Sequence, residues 1–294
     1  MFAQAIETAA KYTRAIHSIS RNYKSTIVHP GTASLFFINS SGWALTCGHV
    51  ADQIAAGEAL ARNAEAFKKE LSALQGTQKQ KNLLKNLENK YKYSKKTPFE
   101  LHNRFMNCVE GNLSFKCIKH KKYDVALIQF ENFSQLVCDT FPIFPADTSM
   151  LQPGKFLCRL GFPFPEFTDY KYDVDNERLV WADSGRHANP LFPIEGMITR
   201  RVLDNEGSIF AFELSTPGLR GQSGGPAFDA EGTVWGMQFG TAHLDLNFDV
   251  DQEVMRDGLK KHITDSAFLH VGLCIHIDVL KSFLKENDVA FIEA

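Results

Sequence analysis

The stretch Gly221-Gln222-Ser223-Gly224-Gly225-Pro226 constrains this chain more than any other. It sets a single serine on a turn too rich in glycine to serve as packed core. Glycines on both sides let the backbone take positive φ and leave N–H groups pointing at whatever lies over the Ser223 hydroxyl, which is how an oxyanion hole is made from main chain. A serine hydroxyl is a poor nucleophile without a base. The turn therefore demands a histidine and an orienting carboxylate elsewhere.

Both stand upstream. Residues 33–50, ASLFFINSSGWALTCGHV, predict strands over Ala33–Ile38 and Trp43–Thr46 joined by an Asn39-Ser40-Ser41-Gly42 turn, with His49 just past the second strand. Residues 122–130, KYDVALIQF, are a run of β-formers entered on Asp124. A carboxylate at the start of a buried strand needs a partner. An imidazole N–H is one, and Asp124 would then fix His49 in the tautomer that accepts the Ser223 proton. Taken singly, each residue has a plainer reading: a satisfied core histidine, a strand-start cap, an ordinary tight turn. Their occurrence together, in this order, favours the chemical one.

TCGHV around His49, YDVAL around Asp124 and GQSGGPAFD around Ser223 resemble the trypsin-like, chymotrypsin-fold serine peptidases, and within them the protease domain of HtrA-type enzymes. Leu160-Gly161-Phe162-Pro163 and the segment 271–284, VGLCIHIDVLKSFL, extend the resemblance. It implies a mainly β chain of two six-stranded antiparallel β-barrels with an N-terminal helix, a helical insertion and a C-terminal helix. The expected boundaries are an N-terminal helix over 1–25 and a protease domain over 26–294. The latter divides into a first barrel at about 26–140 carrying the helical insertion 51–104, a second barrel at about 150–275 and a closing helix over 277–287.

By the same resemblance, the site is the triad His49, Asp124 and Ser223, with the N–H groups of Gly221 and Ser223 as oxyanion hole. The substrate-binding walls come from Pro217 and Arg220 before the nucleophile and from Gln238, Phe239, Gly240 and Thr241 after it. An extended peptide would add to the second segment as a strand. The place where arginine-specific members carry an aspartate aligns near Pro217, so a small or apolar P1 residue is expected, unless the acidic run Asp245, Asp249, Asp251, Glu253, Asp257 folds back to favour a basic one. In secreted members an aspartate before the nucleophile pairs with a newly cut N-terminus; here that position is Gln222. This points to the HtrA-like mode that needs no zymogen cleavage, and the sequence leaves no room for a PDZ domain after the closing helix.

The expected reaction is hydrolysis of a peptide bond through an acyl-enzyme, with a protein or peptide as substrate and no cofactor or metal. Latency until a partner rearranges the loops is one mode of control. The alternative, from a different class, is a peptide-binding or regulatory module with little turnover. Leucines and aromatics at Leu71, Leu74, Leu83, Leu84, Leu87 and Tyr91, with lysines crowding 79–96, predict a solvated helical hairpin or a dock for a regulatory protein. Asp169 to Pro193, polar and bearing Trp and Tyr, is a candidate lid over the cleft.

Composition narrows the rest. A net charge of −2 argues against nucleic acid as partner, and an N-terminus without an apolar core argues against a leader or a membrane span. The six cysteines lie mostly in apolar runs such as FLCRL and do not bracket Ser223, which fits free thiols in a reducing, cytoplasmic setting. Cys47-Gly48-His49 is an isolated ligand pair, too little for zinc.

Overall fold

The computed structural model describes residues 2–73, 80–256 and 258–294. Leu74, Lys79 and Asp257 of the sequence reading lie outside them. In chain order the elements are α1 (Ala3–Tyr12), β1 (Thr13–Asn22), β2 (His29–Phe37), β3 (Trp43–Thr46), α2 (Gly48–Ser72), α3 (Gln80–Lys90), β4 (Pro98–Phe105), β5 (Val109–Lys119) and β6 (Ala126–Leu136). There follow β7 (Ile143–Phe144), β8 (Phe156–Gly161), β9 (Tyr170–Asp173), β10 (Arg178–Trp181), β11 (Phe192–Leu203), β12 (Ile209–Leu214), β13 (Pro226–Phe228), β14 (Val234–Arg256), β15 (Leu259–His276), α4 (Ile277–Glu286) and β16 (Ile292–Glu293).

The chain is mainly β, as expected. Strands β1 to β6 form one six-stranded sheet, ordered β4-β1-β2-β3-β6-β5, which curves as a half-barrel with β4 and β5 as edges. The second half closes fully as β11-β12-β15-β14-β13-β8. One apolar core runs from the first sheet into the second, joining Leu35, Phe36, Leu45 and Phe130 to Leu160, Phe228, Met237 and Ile275, and α4 seals it with Ile277, Leu280 and Leu284.

Two expected helices are shorter than the sequence reading made them. The N-terminal helix ends at Tyr12 rather than reaching residue 25, because Thr13–Asn22 pairs as a strand with both β2 and β4. The isoleucines of that segment lie on opposite faces of the strand: Ile16 enters the main core, and Ile19 packs with Phe167 and Leu179. The insertion 51–104 also ends early, since Pro98–Phe105 is edge strand β4. Nor is that insertion only solvated. Phe67 of α2 and Leu87 of α3 form a small core with Tyr23 and Phe99, and Glu70 receives a hydrogen bond from Lys90 and another from Tyr91.

The candidate lid is docked rather than free. The β9–β10 hairpin packs Phe167 and Leu179 against Ile19, and buried Asp169 at its base accepts hydrogen bonds from Arg104 at 2.6 Å and His187 at 2.9 Å. The acidic run does not fold back either. Its described members, Asp245, Asp249, Asp251 and Glu253, lie in a long β14–β15 ribbon, paired from Gly236–His276 out to Arg256–Leu259, with most described residues beyond Leu244 exposed on both faces. All six cysteines are free thiols, four of them buried, and among the described residues no helix is long and apolar enough to cross a membrane.

His17 shows what the docked hairpin costs. It is 1% exposed, stacks on Phe167 at 4.1 Å, and neither ring nitrogen has a hydrogen-bond partner. Burial pushes its pKa down to about 4, against the pull of Asp169 and with a further push from Arg104. The neutral ring is therefore favoured in the folded state, so its contribution is intact above pH 6.5 and is lost as pH falls from 6.5 towards 4. The loss amounts to roughly 3 kcal/mol across that window. Urea unfolding at pH 7, 5.5 and 4 should show a shallower acid decline in His17→Phe than in wild type; parallel declines would assign the acid sensitivity to other groups.

Candidate active site

Each component of the site is set by a different element. Helix α2 begins immediately after β3, and His49 occupies its first turn. Cys47, the residue before the helix, offers no side-chain cap. Asp124, in the turn that leads into β6, supplies one from a distance: its Oδ1 accepts the His49 backbone N–H at 2.8 Å, and its Oδ2 accepts from the ring Nδ1 at 2.7 Å. The carboxylate thus serves both as cap for the free amides and positive end of a helix and as anchor for the ring one residue in. This orientation leaves Nε2 to face outward from a half-exposed imidazole.

Electrostatics follow from those bonds. Burial raises the Asp124 pKa, but hydrogen bonds from the His49 ring and backbone, the attraction of the ring and the Gly48 N–H outweigh it and hold the carboxyl below its ordinary value. The turn bearing Asp124 is itself held. His120 Nδ1 accepts the N–H groups of Lys122 and Tyr123 at 3.0 and 2.9 Å. Tyr123 stacks on Phe210 and donates to Asp204 at 2.7 Å, and Lys122 bridges Asp204 and Glu206. These contacts tie the carboxylate turn to the β11–β12 hairpin of the second half.

The serine turn arrives from the other side. Gly221 and Gly224 have φ of +99° and +87°, the conformations that the sequence pattern implied. A Cβ on Gly224 would stand 2.0 Å from the Ser34 carbonyl oxygen and 2.4 Å from Thr46 Oγ1, so the turn lies directly on β2 and β3. The Ser34 N–H donates to the Ser223 carbonyl at 2.9 Å and its hydroxyl donates to the Gly221 carbonyl at 2.7 Å. The Gln238 carbonyl accepts both the Gly224 N–H at 2.9 Å and the Cys47 thiol at 3.3 Å. The residue after Ser223 and the residue two before His49 therefore meet on one oxygen.

Among the described residues, the N–H groups of Gly221 and Ser223 make no internal hydrogen bond. Gln222 is held by neutral contacts. Fully buried, its Oε1 accepts the Leu219 N–H at 3.1 Å and its Nε2 donates to the Phe192 carbonyl at 3.2 Å. The two expected wall segments meet where Thr241 Oγ1 donates to the Gly218 carbonyl at 2.8 Å, and Gln238 Nε2 donates within its own segment to the Gly240 carbonyl.

A model of the trypsin-like peptidase domain matches residues 31–237. The chain belongs to this family. No curated protein matches it. Two features of this trypsin-like peptidase domain stand outside its motifs. Ser34 sits in the apolar run ASLFF, where a fully buried hydroxyl had to have a partner; His120 and Tyr123, which shape the aspartate turn, gave no comparable signal.

Cys47, His49 and Asp124 bring ligand atoms within 4.8 Å of one another. Those atoms are already engaged, however. Both Asp124 oxygens serve His49, and burial, with Asp124 nearby, pushes the Cys47 pKa well up and keeps the sulfur a thiol. The set fits a proton relay better than a metal.

The turn should be intolerant of small changes. Gly224→Ala combines a steric clash with a strained φ and is expected to cost about 3 kcal/mol or more, while Ser34→Ala, which leaves the Gly221 carbonyl short of a donor, should cost about 1–2 kcal/mol. Chemical denaturation of both variants checks the order; a neutral Gly224→Ala would contradict the close approach.

Proposed function

We propose that this protein is a serine endopeptidase that works through His49, Asp124 and Ser223. The observation that carries the reading is the two-point grip of Asp124 on His49, with the glycine turn of Ser223 set against the same strands. In the attack, His49 Nε2 takes the Ser223 proton as Oγ adds to the peptide carbonyl, and Asp124 stabilises the imidazolium. The unengaged N–H groups of Gly221 and Ser223 receive the oxyanion. His49 then protonates the leaving amine, and water, deprotonated by the same ring, hydrolyses the acyl-enzyme.

Gln222 supports the HtrA-like, non-zymogen mode of control. Its amide already braces the loop from inside, at the position where an aspartate would wait for a freed N-terminus. A binding module with little turnover would have no use for free oxyanion amides or for a carboxylate held ionised behind the histidine.

The test is hydrolysis of a denatured protein or a random peptide library. Ser223→Ala and His49→Ala should lose about 10⁴–10⁶ in kcat with folding unchanged, and Asp124→Asn about 10⁴. Turnover that survives Ser223→Ala would remove the assignment; tight peptide binding without turnover in wild type would favour the binding module.

A further inference from the structure

Three lysine or arginine side chains are buried among the described residues: Arg21, Arg159 and Lys281. Arg21 pairs with Glu100 at 2.7 Å and Lys281 with Glu293 at 2.8 Å. Arg159, on β8, is fully buried and, among the described residues, forms no ion pair. Its guanidinium has only neutral acceptors: Gln238 Oε1 at 2.8 Å, the Thr216 carbonyl and hydroxyl at 2.9 and 2.5 Å, and the Pro217 carbonyl at 3.2 Å. Its Nε has no partner. Burial lowers its pKa, yet a guanidinium remains protonated in proteins. A buried, permanently charged group without a counter-ion is costly and calls for an explanation.

Its surroundings supply one. Thr216 and Pro217 lead into the segment before Ser223, and Gln238 opens the segment after it, so the guanidinium lies where the two expected walls of the primary pocket converge. A Cβ on Gly272 would stand 1.9 Å from Arg159 Nη1, which puts the cation against β15 at the back of the same space. In this structure Thr241 ties the two walls together through the Gly218 carbonyl, and Gln238 is held within its own wall by the Gly240 carbonyl. A side chain entering between the walls must break the Thr241–Gly218 bond. An apolar or amide side chain recovers little for that cost, whereas a carboxylate gains a charged, bidentate partner in a medium of low dielectric.

We propose that Arg159 makes the primary pocket selective for acidic side chains, so that cleavage follows Asp or Glu. This rests on the endopeptidase reading above and replaces the small or apolar P1 residue expected from sequence. The entering carboxylate takes the place of Gln238 Oε1 on the guanidinium, and opening of the Thr241–Gly218 bond parts the two walls.

The test compares peptides that differ only at P1, Glu against Gln and Asp against Asn, with the wild-type protein. Acidic P1 residues should raise kcat/KM by about 10²-fold over their amides. Equal rates, or faster cleavage after neutral or basic residues, would overturn the inference while leaving the endopeptidase reading intact. Arg159→Lys should keep an acidic preference, and Arg159→Met should abolish it; Lys guards against misfolding of the Met variant. If no peptide is cleaved, the endopeptidase reading is what fails. Calorimetry of the same peptides on Ser223→Ala then decides the pocket: at least tenfold tighter binding of the Glu peptide than of the Gln peptide supports it, and equal binding overturns it.

Discussion

Everything at the site depends on how the Gly221–Gly225 turn of the second half lies on strand β2 of the first. His49, on α2, and Asp124, in the turn before β6, come from the first half and Ser223 from a loop of the closed barrel, and neither half holds all three. Ser34 makes the connection with its main-chain N–H and its hydroxyl, and the Gln238 carbonyl makes it again through Gly224 and Cys47. The glycines are required less for flexibility than for approach, since a single methyl group on Gly224 would collide with the strand beneath. A continuous apolar core across both halves holds this polar seam in register.

The same division of labour governs charge. Asp124 satisfies two donors at the start of α2, and those two hydrogen bonds hold its pKa down against the upward push of burial. Gln222 braces its loop through two neutral hydrogen bonds, without a titrating group. Arg159 is the exception. Its charge is buried with neutral acceptors only, in a protein that pairs its other buried cations.

Local pattern carried a good deal of this. Glycines around Ser223, β-formers before His49 and the strand entered through Asp124 are short-range signals, and the elements they predicted are present. Boundaries set by distant partners were not legible. Thr13–Asn22 continues the spacing of α1 but pairs with β2 and β4, and Pro98–Phe105 follows the helical insertion as an edge strand. Residues whose role is defined across the seam were hidden in the same way. Ser34 and Arg159 sit inside apolar runs, ASLFF and FLCRL, where the pattern reads as ordinary core and only the partner strand discloses the purpose. The polar ribbon of β14 and β15 offered no buried face to read, so its acidic residues looked free to fold back when in fact they pair along its length.

On this mechanism Ser223 is activated by the His49–Asp124 pair. Reaction of the folded protein with a fluorophosphonate, followed by mass spectrometry of its peptides, tests it most directly. One adduct is expected, on Ser223, and none in His49→Ala. An adduct on another residue, or one on Ser223 that persists without His49, would contradict it.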